Sequence, residues 1–588
     1  MIGIVDIVMS REFRLPLFLV GVIVVALLFS VSYLYVVAMV VGLGRLGSES
    51  YKRLRGGKWS LDYLALITLV AALVLQEWLA GAVIALMVAV SAALEGYGTK
   101  RAEKTLRGLF EALPKTVLLK HGKYETTVPL QSVQSGDILL IRPNELLAFD
   151  GFLLSPKALL NEANLTGEME PLVYEAAKLL KSGSINVGEA FTLEVRGDFE
   201  HSSYRKILRL VEEGKRHPSP LTRLAERYNV WFSLLALSLA FGAYFLFGDW
   251  SRFLAVLVIA TPCPLLIAAP MSFIGGLNKA ARKNIIIKGP YALELLAKTK
   301  IFFFDKTGTL TLGVPRLQKI QLLDQGLDEE QALDIAAALE QHSFHPLARS
   351  LVREQEKRSH SALLKAQQVE EKIGEGIFGM LQGSRVGVVK ARGVGGLTVD
   401  LIHEDRPIAR FFFDDELKND VSKVFDYLRQ RGYFFGILTG DKKANAERLL
   451  RAFHLPIYAE STPEKKVALI KRYQQEGKLV GMIGDGVNDA PALALADIGI
   501  VFSGTENSAS IEAADVALLG HDASGIQDAI HIGRRSYQVA LQSITLGIGL
   551  SSIGMVLGFF GFIPVLEGAI LQEVIDAVVI INALRSTY

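Results

Sequence analysis

The sequence predicts a multi-domain membrane protein of the α/β class, and three observations support that prediction. Of the 588 residues, 50% are hydrophobic, which is too many for a purely soluble chain. Apolar runs long enough to cross a membrane come in pairs, with long polar stretches between the pairs. In the polar stretches, buried strands end in Gly-Asp turns and are followed by helical patterns, which is typical of a doubly wound, Rossmann-like domain.

The composition excludes several classes of protein. The 63 basic residues nearly balance the 61 acidic ones, so we expect no nucleic-acid partner. Cys263 is the single cysteine, which rules out an internal disulfide and any Cys-x-x-Cys site. The first apolar run, residues 15–41, is too long for the core of a signal peptide and has no small-residue cleavage site. We therefore interpret it as a membrane anchor.

Eight transmembrane helices are predicted from the apolar runs. Gly42 and Gly44 predict a kinked second helix, followed by a basic segment at the membrane surface. Basic residues gather at 52–58 and 100–107, so the positive-inside rule predicts that the soluble domains lie in the cytoplasm, below a plasma or bacterial inner membrane. The predicted spans lie at about 14–30, 32–45, 61–75, 79–96, 229–248, 253–276, 537–560 and 563–582.

The spans and the patterns between them predict the domain boundaries. Residues 97–215 have short alternating runs bounded by Gly and Pro, which predicts a small β-rich domain. A doubly wound domain is predicted from two separated pieces, because strand and helix patterns stop after residue 313 and resume near residue 415. The predicted division is 1–96 (spans 1–4), 97–215 (β-rich), 216–285 (spans 5–6), 286–313 with 415–532 (doubly wound), 314–414 (small α+β insertion) and 533–588 (spans 7–8).

Asp305 is the main candidate for a catalytic residue in this chain. It follows Ile301-Phe302-Phe303-Phe304, a run that predicts a strand buried on both faces, and ligands bind at the carboxyl ends of such strands. A carboxylate placed there can attack a phosphoryl group and hold it as an acyl phosphate. Lys306 would offset phosphate charge, and Gly308 would let the backbone close around the phosphate.

The run from Asp305 to Thr311, Asp-Lys-Thr-Gly-Thr-Leu-Thr, resembles the phosphorylation motif of the P-type ATPases letter for letter. The resemblance implies a haloacid-dehalogenase-like phosphorylation domain that takes a phosphoryl group from ATP with Mg²⁺. Gly484-Asp485-Gly486-Val487-Asn488-Asp489 matches the hinge motif of that family, and the Mg²⁺ ligands would be Asp305, Thr307, Asp485 and Asp489. Lys466 would neutralise the transferred phosphoryl group, and Thr439, Gly440 and Asp441 would surround it.

The resemblance also implies functions for two further parts of the chain. Thr166-Gly167-Glu168 alone is most often a turn, but here it resembles the actuator loop of P-type ATPases, in which the Glu assists hydrolysis of the acyl phosphate. The insertion resembles the nucleotide-binding domain of heavy-metal P-type ATPases. The resemblance is incomplete, since Phe344 replaces an acidic residue and Gly387-Val388 lacks an expected Asn. The implied ATP-binding residues are Glu340, His345, Pro346, Gly374, Gly376 and Gly379.

The transported ion is assigned to two of the spans. In Thr261-Pro262-Cys263-Pro264 the prolines remove amide donors and free carbonyl groups beside the thiol; the alternative is that Cys263 is a small hydrophobic residue. Gln572, Glu573 and Asp576 share one face of the last span, where ionisable groups indicate an ion path, although Glu573 could also lie near the membrane surface. Gln542 could add an oxygen ligand or simply contact a helix.

One sulfur with oxygen ligands suits a divalent ion such as Ni²⁺, Fe²⁺, Co²⁺ or Zn²⁺ better than Cu⁺. Thr-Pro-Cys with Gln-Glu-x-x-Asp resembles the nickel- and iron-linked subgroup of these pumps. The predicted function is ATP-driven export of such an ion by a protein that acts as a monomer, with a possible cytoplasmic metal donor. A membrane-anchored phosphatase and a non-pumping metal sensor are the alternatives.

Overall fold

The structure, a computed structural model, divides the chain into two compact units. The first unit contains Met1–Lys298, Asp515–Gly520 and Asp528–Tyr588, and the second contains Thr299–Ala514 and His521–Gln527. The residues that the structure describes are 13–55, 63–93, 114, 116–121, 124–162, 171–202, 205, 219–261, 263–311, 315–324, 326–343, 345–358, 364–372, 375–391, 397–484, 489–502, 514–520 and 522–587.

The N-terminal part of the first unit is helical, as the apolar runs predict. Its second helix differs from the prediction, because it continues through Gly42 and Gly44 to Arg55 and so carries the start of the basic stretch. A methyl group at Gly42 would lie 2.8 Å from the Cβ of Ala85, so close packing requires glycine there. A kink at the two glycines stays a prediction. The helices are α1 (Arg14–Leu28), α2 (Ser32–Arg55), α3 (Tyr63–Val74) and α4 (Trp78–Ala93).

The β-rich domain consists of a six-stranded and a three-stranded sheet around one apolar core that includes the buried rings of Phe149 and Phe191. The six-stranded sheet has the order β2-β1-β3-β9-β4-β7, and the smaller sheet the order β6-β5-β8. β5 and β6 are antiparallel, and the Thr166-Gly167-Glu168 motif lies between them in sequence. The strands are β1 (Thr116–His121), β2 (Tyr124–Pro129), β3 (Ile138–Ile141), β4 (Gly151–Leu153), β5 (Lys157–Asn161), β6 (Leu172–Glu175), β7 (Leu179–Leu180), β8 (Ile185–Asn186) and β9 (Phe191–Val195).

The next three helices have clear start signals in the sequence. Helix α5 (Pro220–Phe247) begins after Ser219, whose hydroxyl accepts a hydrogen bond from the backbone N–H of Thr222 at 3.1 Å. Asp249 caps α6 (Trp250–Ile259) in the same way. The chain leaves the helical conformation after Ile259, and α7 (Cys263–Arg282) begins at the cysteine. The Thr-Pro-Cys motif therefore lies at a break between two helices.

A fully buried carboxylate holds the start of α5. Glu294 lies on α8 (Gly289–Lys298) and accepts a hydrogen bond from the backbone N–H of Leu221 at 2.8 Å. It also forms an ion pair with Lys298. A carboxylate is stabilised at the positive end of a helix, so Glu294 joins α8 to the first turn of α5. In the same unit, β10 (Ile285–Ile287) pairs antiparallel with β22 (Val516–Leu518).

In the second unit, β11 (Ile301–Asp305) is followed by the predicted α+β insertion. Six antiparallel strands in the order β12-β17-β16-β15-β14-β13 form its sheet, and two helices pack on one face. Alternation places Ile377 and Leu381 toward the helices, where they are buried. The elements are β12 (Arg316–Leu322), α9 (Glu329–Glu340), α10 (Pro346–Arg358), β13 (Gln367–Lys372), β14 (Gly376–Leu381), β15 (Ser384–Lys390), β16 (Leu397–His403) and β17 (Arg406–Asp414).

The doubly wound part of the second unit has five parallel strands side by side in the order β21-β20-β11-β18-β19. The buried Phe302, Phe303 and Phe304 place β11 in its centre. Because parallel strands end at one edge, Asp305 lies beside Leu438, and the turns after β18 and β20 share its surroundings. The remaining elements are α11 (Val421–Gln430), β18 (Phe434–Leu438), α12 (Lys443–Leu450), β19 (Ile457–Tyr458), α13 (Pro463–Gln475), β20 (Val480–Gly484), α14 (Ala490–Leu495) and β21 (Ile498–Phe502).

The chain ends in two long helices, α15 (Ser524–Phe559) and α16 (Val565–Leu584). Both approach α7 where it has no side chains: a methyl group at Gly275 would lie 2.2 Å from the Ser586 hydroxyl, and one at Gly276 would lie 2.1 Å from the Ser536 hydroxyl. A side chain at either position would displace these hydroxyl groups.

Among the described residues, α5 and α15 are the helices that are long and apolar enough to cross a membrane, judged by length and composition alone. Helix α16 carries Glu567, Glu573 and Asp576, and so many acidic side chains lower its apolar character. The predicted number of eight spans is therefore neither confirmed nor contradicted. The shorter apolar helices are Arg14–Leu28, Ser32–Ser48, Leu64–Val74, Trp78–Ala93 and Trp250–Ile259.

Candidate functional site

Asp305 is the last residue of β11 and is only 7% exposed. One of its carboxylate oxygens, Oδ2, accepts a hydrogen bond from the backbone N–H of Thr307 at 3.0 Å. The other, Oδ1, lies 2.5 Å from the ammonium nitrogen of Lys466. Gly308 has φ +71°, a left-handed conformation that glycine adopts without strain, so the chain turns sharply just after the carboxylate.

Lys466 joins two carboxylates that are far apart in sequence. It is the fourth residue of α13, a helix that begins after Thr462 with Pro463 in its first turn. Its Nζ is 2.5 Å from Asp305 and 2.6 Å from Asp489, and its side chain is 7% exposed. Burial alone would lower the pKa of Lys466, but the two neighbouring carboxylates raise it. Lys466 therefore stays a cation at neutral pH.

Lys306 points to a second pair of carboxylates. It forms ion pairs with Asp415 and with Asp441, the latter at 2.5 Å. Burial opposes its charge, but both ion pairs raise its pKa. The backbone N–H of Asp441 donates to the Thr439 hydroxyl at 3.1 Å, which fixes the turn after β18.

Asp415 was not among the residues predicted for the site. It directly follows β17, where the chain returns from the insertion, so its place beside β11 depends on the whole insertion having closed. The two adjacent acidic residues Asp414 and Asp415, at the end of the insertion, are the sequence feature that could have indicated this position.

The observed donor set fits Mg²⁺. The carboxylates of Asp305 and Asp489 both contact the ammonium group of Lys466, so they already share one cation. Hard cations are bound by such carboxylates together with phosphate oxygens. Asp485, which is predicted to complete this set, lies outside the described residues. Within the described residues, no three His, Cys, Asp or Glu side chains cluster as metal ligands.

The glycines of the insertion are explained by packing. Gly376 has φ +149°, and a methyl group there would lie 2.2 Å from the backbone oxygen of Val388. A methyl group at Gly379 would lie 2.8 Å from Leu339 on α9. Both positions therefore need glycine for the sheet to form, whether or not nucleotide approaches. Gly374 lies outside the described residues.

Glu340 and His345 lie at the two ends of the turn between α9 and α10. Glu340 is the last residue of α9 and is 7% exposed. His345 precedes Pro346, the first residue of α10, and its Nδ1 accepts a hydrogen bond from the backbone N–H of Leu347 at 3.3 Å. The imidazole thus caps α10, and Nε2 is the nitrogen left for a ligand.

A polar cluster lies at the helix break that carries the cysteine. The Gln572 amide donates hydrogen bonds to the backbone oxygen of Thr261 at 3.2 Å and to the carboxylate of Asp576 at 2.8 Å. The hydroxyl of Ser91, on α4, donates to Asp576 at 3.2 Å, and that of Ser551, on α15, donates to Gln572 at 3.3 Å. These two serines were not predicted, because a single serine in an apolar helix does not by itself indicate a binding site.

Glu573 is the other acidic residue of this region. Its Oε1 is buried and has no hydrogen-bond partner among the described residues. The side chain as a whole is half-buried, and its distance from the membrane surface stays a prediction. Gln542 is exposed on α15, so it does not contribute to the cluster around Asp576.

Several predicted residues cannot be placed. Pro262 and the run 163–170, which contains Thr166, Gly167 and Glu168, lie outside the described residues, as do the side chains of Cys263, Pro264 and Pro346. The strand ends around the actuator motif are described: the Tyr174 hydroxyl donates to Glu162 at 2.7 Å, just before the motif begins. Burial and this carboxylate raise the pKa of Tyr174.

Comparisons with known proteins agree with this architecture. A family model described as haloacid dehalogenase-like hydrolase matches residues 299–497, and one described as P-type ATPase actuator domain matches residues 111–212. A zinc-transporting ATPase of Synechocystis sp. is 31% identical over 558 residues, which cover 90% of this chain and 77% of that protein. The chain belongs to the heavy-metal-transporting P-type ATPases. The predicted family is thereby confirmed.

Other relatives of this P-type ATPase support the assignment. A cadmium-transporting ATPase of Staphylococcus aureus is 29% identical over 594 residues, covering 94% of this chain and 81% of that protein. The crystal structure of a zinc-transporting PIB-type ATPase in the E2.Pi state is 28% identical, with a TM-score of 0.67, covering 98% of this chain and all of that one. The chain is thus a membrane-embedded ATPase that couples ATP hydrolysis to metal transport.

Proposed function

We propose that this P-type ATPase exports a divalent transition-metal ion from the cytoplasm through an aspartyl phosphate on Asp305. The observation that supports this most directly is the geometry of Asp305, whose carboxylate is buried, oriented by the Thr307 N–H and paired with the Lys466 ammonium. Pairing with a cation favours the ionised form of a carboxylate that is shielded from water. An ionised carboxylate is the form that can act as a nucleophile.

Phosphoryl transfer would use the groups around Asp305. Asp305 would attack the γ-phosphorus of ATP, ADP would leave, and the phosphoryl group would become bound to the carboxylate oxygen. Lys466 would offset charge on the transferred group, and Thr439, Gly440 and Lys306 would contact its oxygens. When bound to Asp305, Thr307, Asp485 and Asp489, Mg²⁺ would supply further charge neutralisation.

The β-rich domain would return the enzyme to its starting state. Glu168, on the connection between β5 and β6, would orient water for hydrolysis of the acyl phosphate, with Thr166 and Gly167 shaping the turn. ATP would bind to the insertion through Glu340, His345, Pro346 and Gly374, and Gly376 and Gly379 would let the backbone approach the nucleotide. In this account the domains divide as the sequence predicts, and the soluble ones lie in the cytoplasm below the plasma membrane.

The metal would bind at the break between α6 and α7. The ligands would be Cys263, Gln572, Glu573 and Asp576, with Pro262 and Pro264 keeping backbone oxygens free of helix hydrogen bonds. Such a mixed sulfur and oxygen set favours borderline divalent ions such as Zn²⁺, Co²⁺, Ni²⁺ and Fe²⁺ over Cu⁺. The printed names of the relatives include cadmium, zinc and cobalt, which are divalent ions of this kind.

Export of such an ion needs an energy source. Moving a divalent cation outward against an inside-negative potential of ~100 mV costs about 5 kcal/mol before any concentration gradient. ATP hydrolysis meets this requirement. We propose that the protein acts as a monomer.

The test uses purified protein and inverted membrane vesicles. ATP hydrolysis by the purified protein, measured with Zn²⁺, Cd²⁺, Co²⁺, Ni²⁺, Fe²⁺ and Cu⁺ in turn, should rise with one or more divalent ions and be blocked by vanadate. Vesicles should accumulate the same ion only when ATP is supplied, and Asp305→Asn should abolish both signals. Hydrolysis that ignores every ion would favour the phosphatase, and metal binding without uptake would favour the sensor.

A further inference from the structure

The acidic residue at the end of α9 lies in surroundings that disfavour a negative charge. Glu340 is 7% exposed and is the last residue of its helix, where the unpaired carbonyl groups carry partial negative charge. Among the described residues, no basic side chain and no hydrogen-bond donor contacts its carboxyl group. Burial of an ionised carboxylate without a donor is costly, so the neutral acid is favoured.

A second carboxylate adds to this effect. Glu371, on β13, is held near the turn because the Ser343 hydroxyl donates to its Oε1 at 2.9 Å. The backbone N–H of Ser343 in turn donates to the carbonyl oxygen of Glu340 at 3.0 Å. Two acidic side chains are therefore tied to the same three-residue turn, and like charges disfavour each other.

Burial, followed by the charge of Glu371, raises the pKa of Glu340 to about 7. The turn and the elements packed against α9 carry other charged or titratable groups, but among the described residues Glu371 is the charged group that shifts the pKa of Glu340. The others include His342 and His345 on the turn, Arg349 and Arg353 on α10, Lys319 on β12 and Lys390 on β15. Arg385, on β15, stacks on Phe378, on the face of the sheet away from α9. Glu371 is thus the charged neighbour that matters, and Glu340 changes its charge near neutral pH.

The charge of a carboxyl group decides which purine it can recognise. A neutral carboxylic acid has one donor and one acceptor, which match the N1 acceptor and the N6 amino donor of adenine. An ionised carboxylate only accepts, and matches instead the N1–H and N2 amino donors of guanine. Two hydrogen bonds to a base edge can discriminate strongly between bases, because a mismatch leaves buried polar groups unpaired.

We propose that Glu340 recognises adenine as the protonated acid, so that ATP binding is coupled to uptake of one proton, and that Glu371 sets the pH at which this coupling acts. This inference rests on the proposed binding of ATP to the insertion. It makes Glu340 a purine-selecting residue and Glu371 a positioning residue that acts through it.

The experiment measures ATP and GTP binding to the full-length protein carrying Asp305→Asn, which prevents turnover. Calorimetry between pH 6 and pH 8.5, in buffers with different ionisation enthalpies, reports both affinity and proton uptake. ATP affinity should fall by about tenfold for each pH unit above the pKa of Glu340, with close to one proton taken up at high pH. The preference for ATP over GTP should narrow over the same range.

Three variants make the result specific. Glu340→Gln keeps one donor and one acceptor, so it should bind ATP with an affinity that changes little with pH and with no proton uptake beyond that of the nucleotide itself. Glu371→Gln removes the neighbouring charge, so the loss of ATP affinity should begin at a lower pH. Glu370→Gln is the matched control, because Glu370 lies on the same strand but pairs with Lys372 and should change nothing.

The outcomes separate this inference from the proposed function. If Glu340→Ala leaves ATP affinity unchanged at every pH, ATP does not bind at this turn and the proposed site itself is wrong. If Glu340→Ala weakens ATP binding while the wild-type affinity is constant with pH, only the protonation is wrong. Loss of ATP binding in Glu340→Gln, with an unchanged circular dichroism spectrum, would also overturn the proposal.

Discussion

Asp305 and Asp576 are both buried carboxylates, with 7% and 2% of their surfaces exposed, but their partners differ in kind. Asp305 faces the Lys466 ammonium at 2.5 Å, so its charge is balanced within the protein. Asp576 receives hydrogen bonds from the Ser91 hydroxyl at 3.2 Å and the Gln572 amide at 2.8 Å, which are neutral groups. Among the described residues, the first site contains a cation, whereas the partners of Asp576 are neutral hydrogen-bond donors.

This difference matches the two tasks proposed for the sites. A carboxylate that must carry a phosphoryl group needs permanent cations nearby, because the group it accepts is itself negative. A carboxylate that must bind a metal ion and release it is better oriented by neutral hydrogen-bond donors. Such donors fix its position, whereas a neighbouring cation would compete with the metal ion for the carboxylate. Four experiments test this difference between the two sites.

The largest effect is expected for Asp305→Asn. The carboxamide keeps the shape of the side chain but cannot form an acyl phosphate, so metal-stimulated ATP hydrolysis should fall by about 10³-fold or more. Phosphate release measures the loss, and transfer of label from the γ-phosphoryl group of ATP to the chain should disappear. Hydrolysis that continues at a tenth of the wild-type rate would show that Asp305 is not the nucleophile.

Lys466→Met tests whether the internal cation matters. Its removal would leave Asp305 and Asp489 without the ammonium that lies between them, and the rate of phosphorylation should fall by about 10²-fold to 10³-fold. The matched control is Lys465→Met, because Lys465 is exposed and its ammonium group donates to the backbone oxygen of Glu460. Equal effects of the two variants would refute the role given to Lys466.

Asp576→Asn tests the site that lacks a cation. Removing the charge should raise the metal concentration for half-maximal ATP hydrolysis by about tenfold or more, since a neutral amide is a poorer metal ligand. Glu567→Gln, in the exposed first turn of the same helix, should leave that concentration unchanged. The comparison fails if both variants respond to metal as the wild type does.

Ser91→Ala should give the smallest effect. It removes one neutral hydrogen bond from Asp576, which is worth about 1 kcal/mol, so the metal affinity should change by about fivefold. Ser238→Ala provides the control, because that hydroxyl is exposed on α5 and bonds within its own helix. Direct metal binding, measured without ATP, separates this effect from changes in turnover.

The structure brings several of the residues predicted around Asp305 together, because the sequence signals for them are local. Asp305, Thr439 and Asp489 each follow a strand or begin a helix of one parallel sheet, and such strand ends meet at one edge. Lys466 was found through its motif, and the structure brings its amine to Asp305 and Asp489. Asp415 was missed because its position depends on the closure of the insertion, which no local pattern encodes.

The membrane site was predicted less completely, for a physical reason. Gln572 and Asp576 share a helix face, which their spacing predicts. Ser91 and Ser551 come from other helices, and which faces of two apolar helices meet depends on packing that composition does not reveal. The glycines of the insertion were assigned to nucleotide binding, whereas Gly376 and Gly379 are already required by the neighbouring strand and helix.

Gly275 and Gly276 have a mechanical consequence. At these two positions the hydroxyl groups of Ser586 and Ser536 occupy the space that a methyl group would need, so α7 has no clearance from either α16 or α15. Surfaces interlocked this closely resist sliding past each other. A movement of α7 at these two glycines therefore requires the chain at Ser536 and Ser586 to move with it.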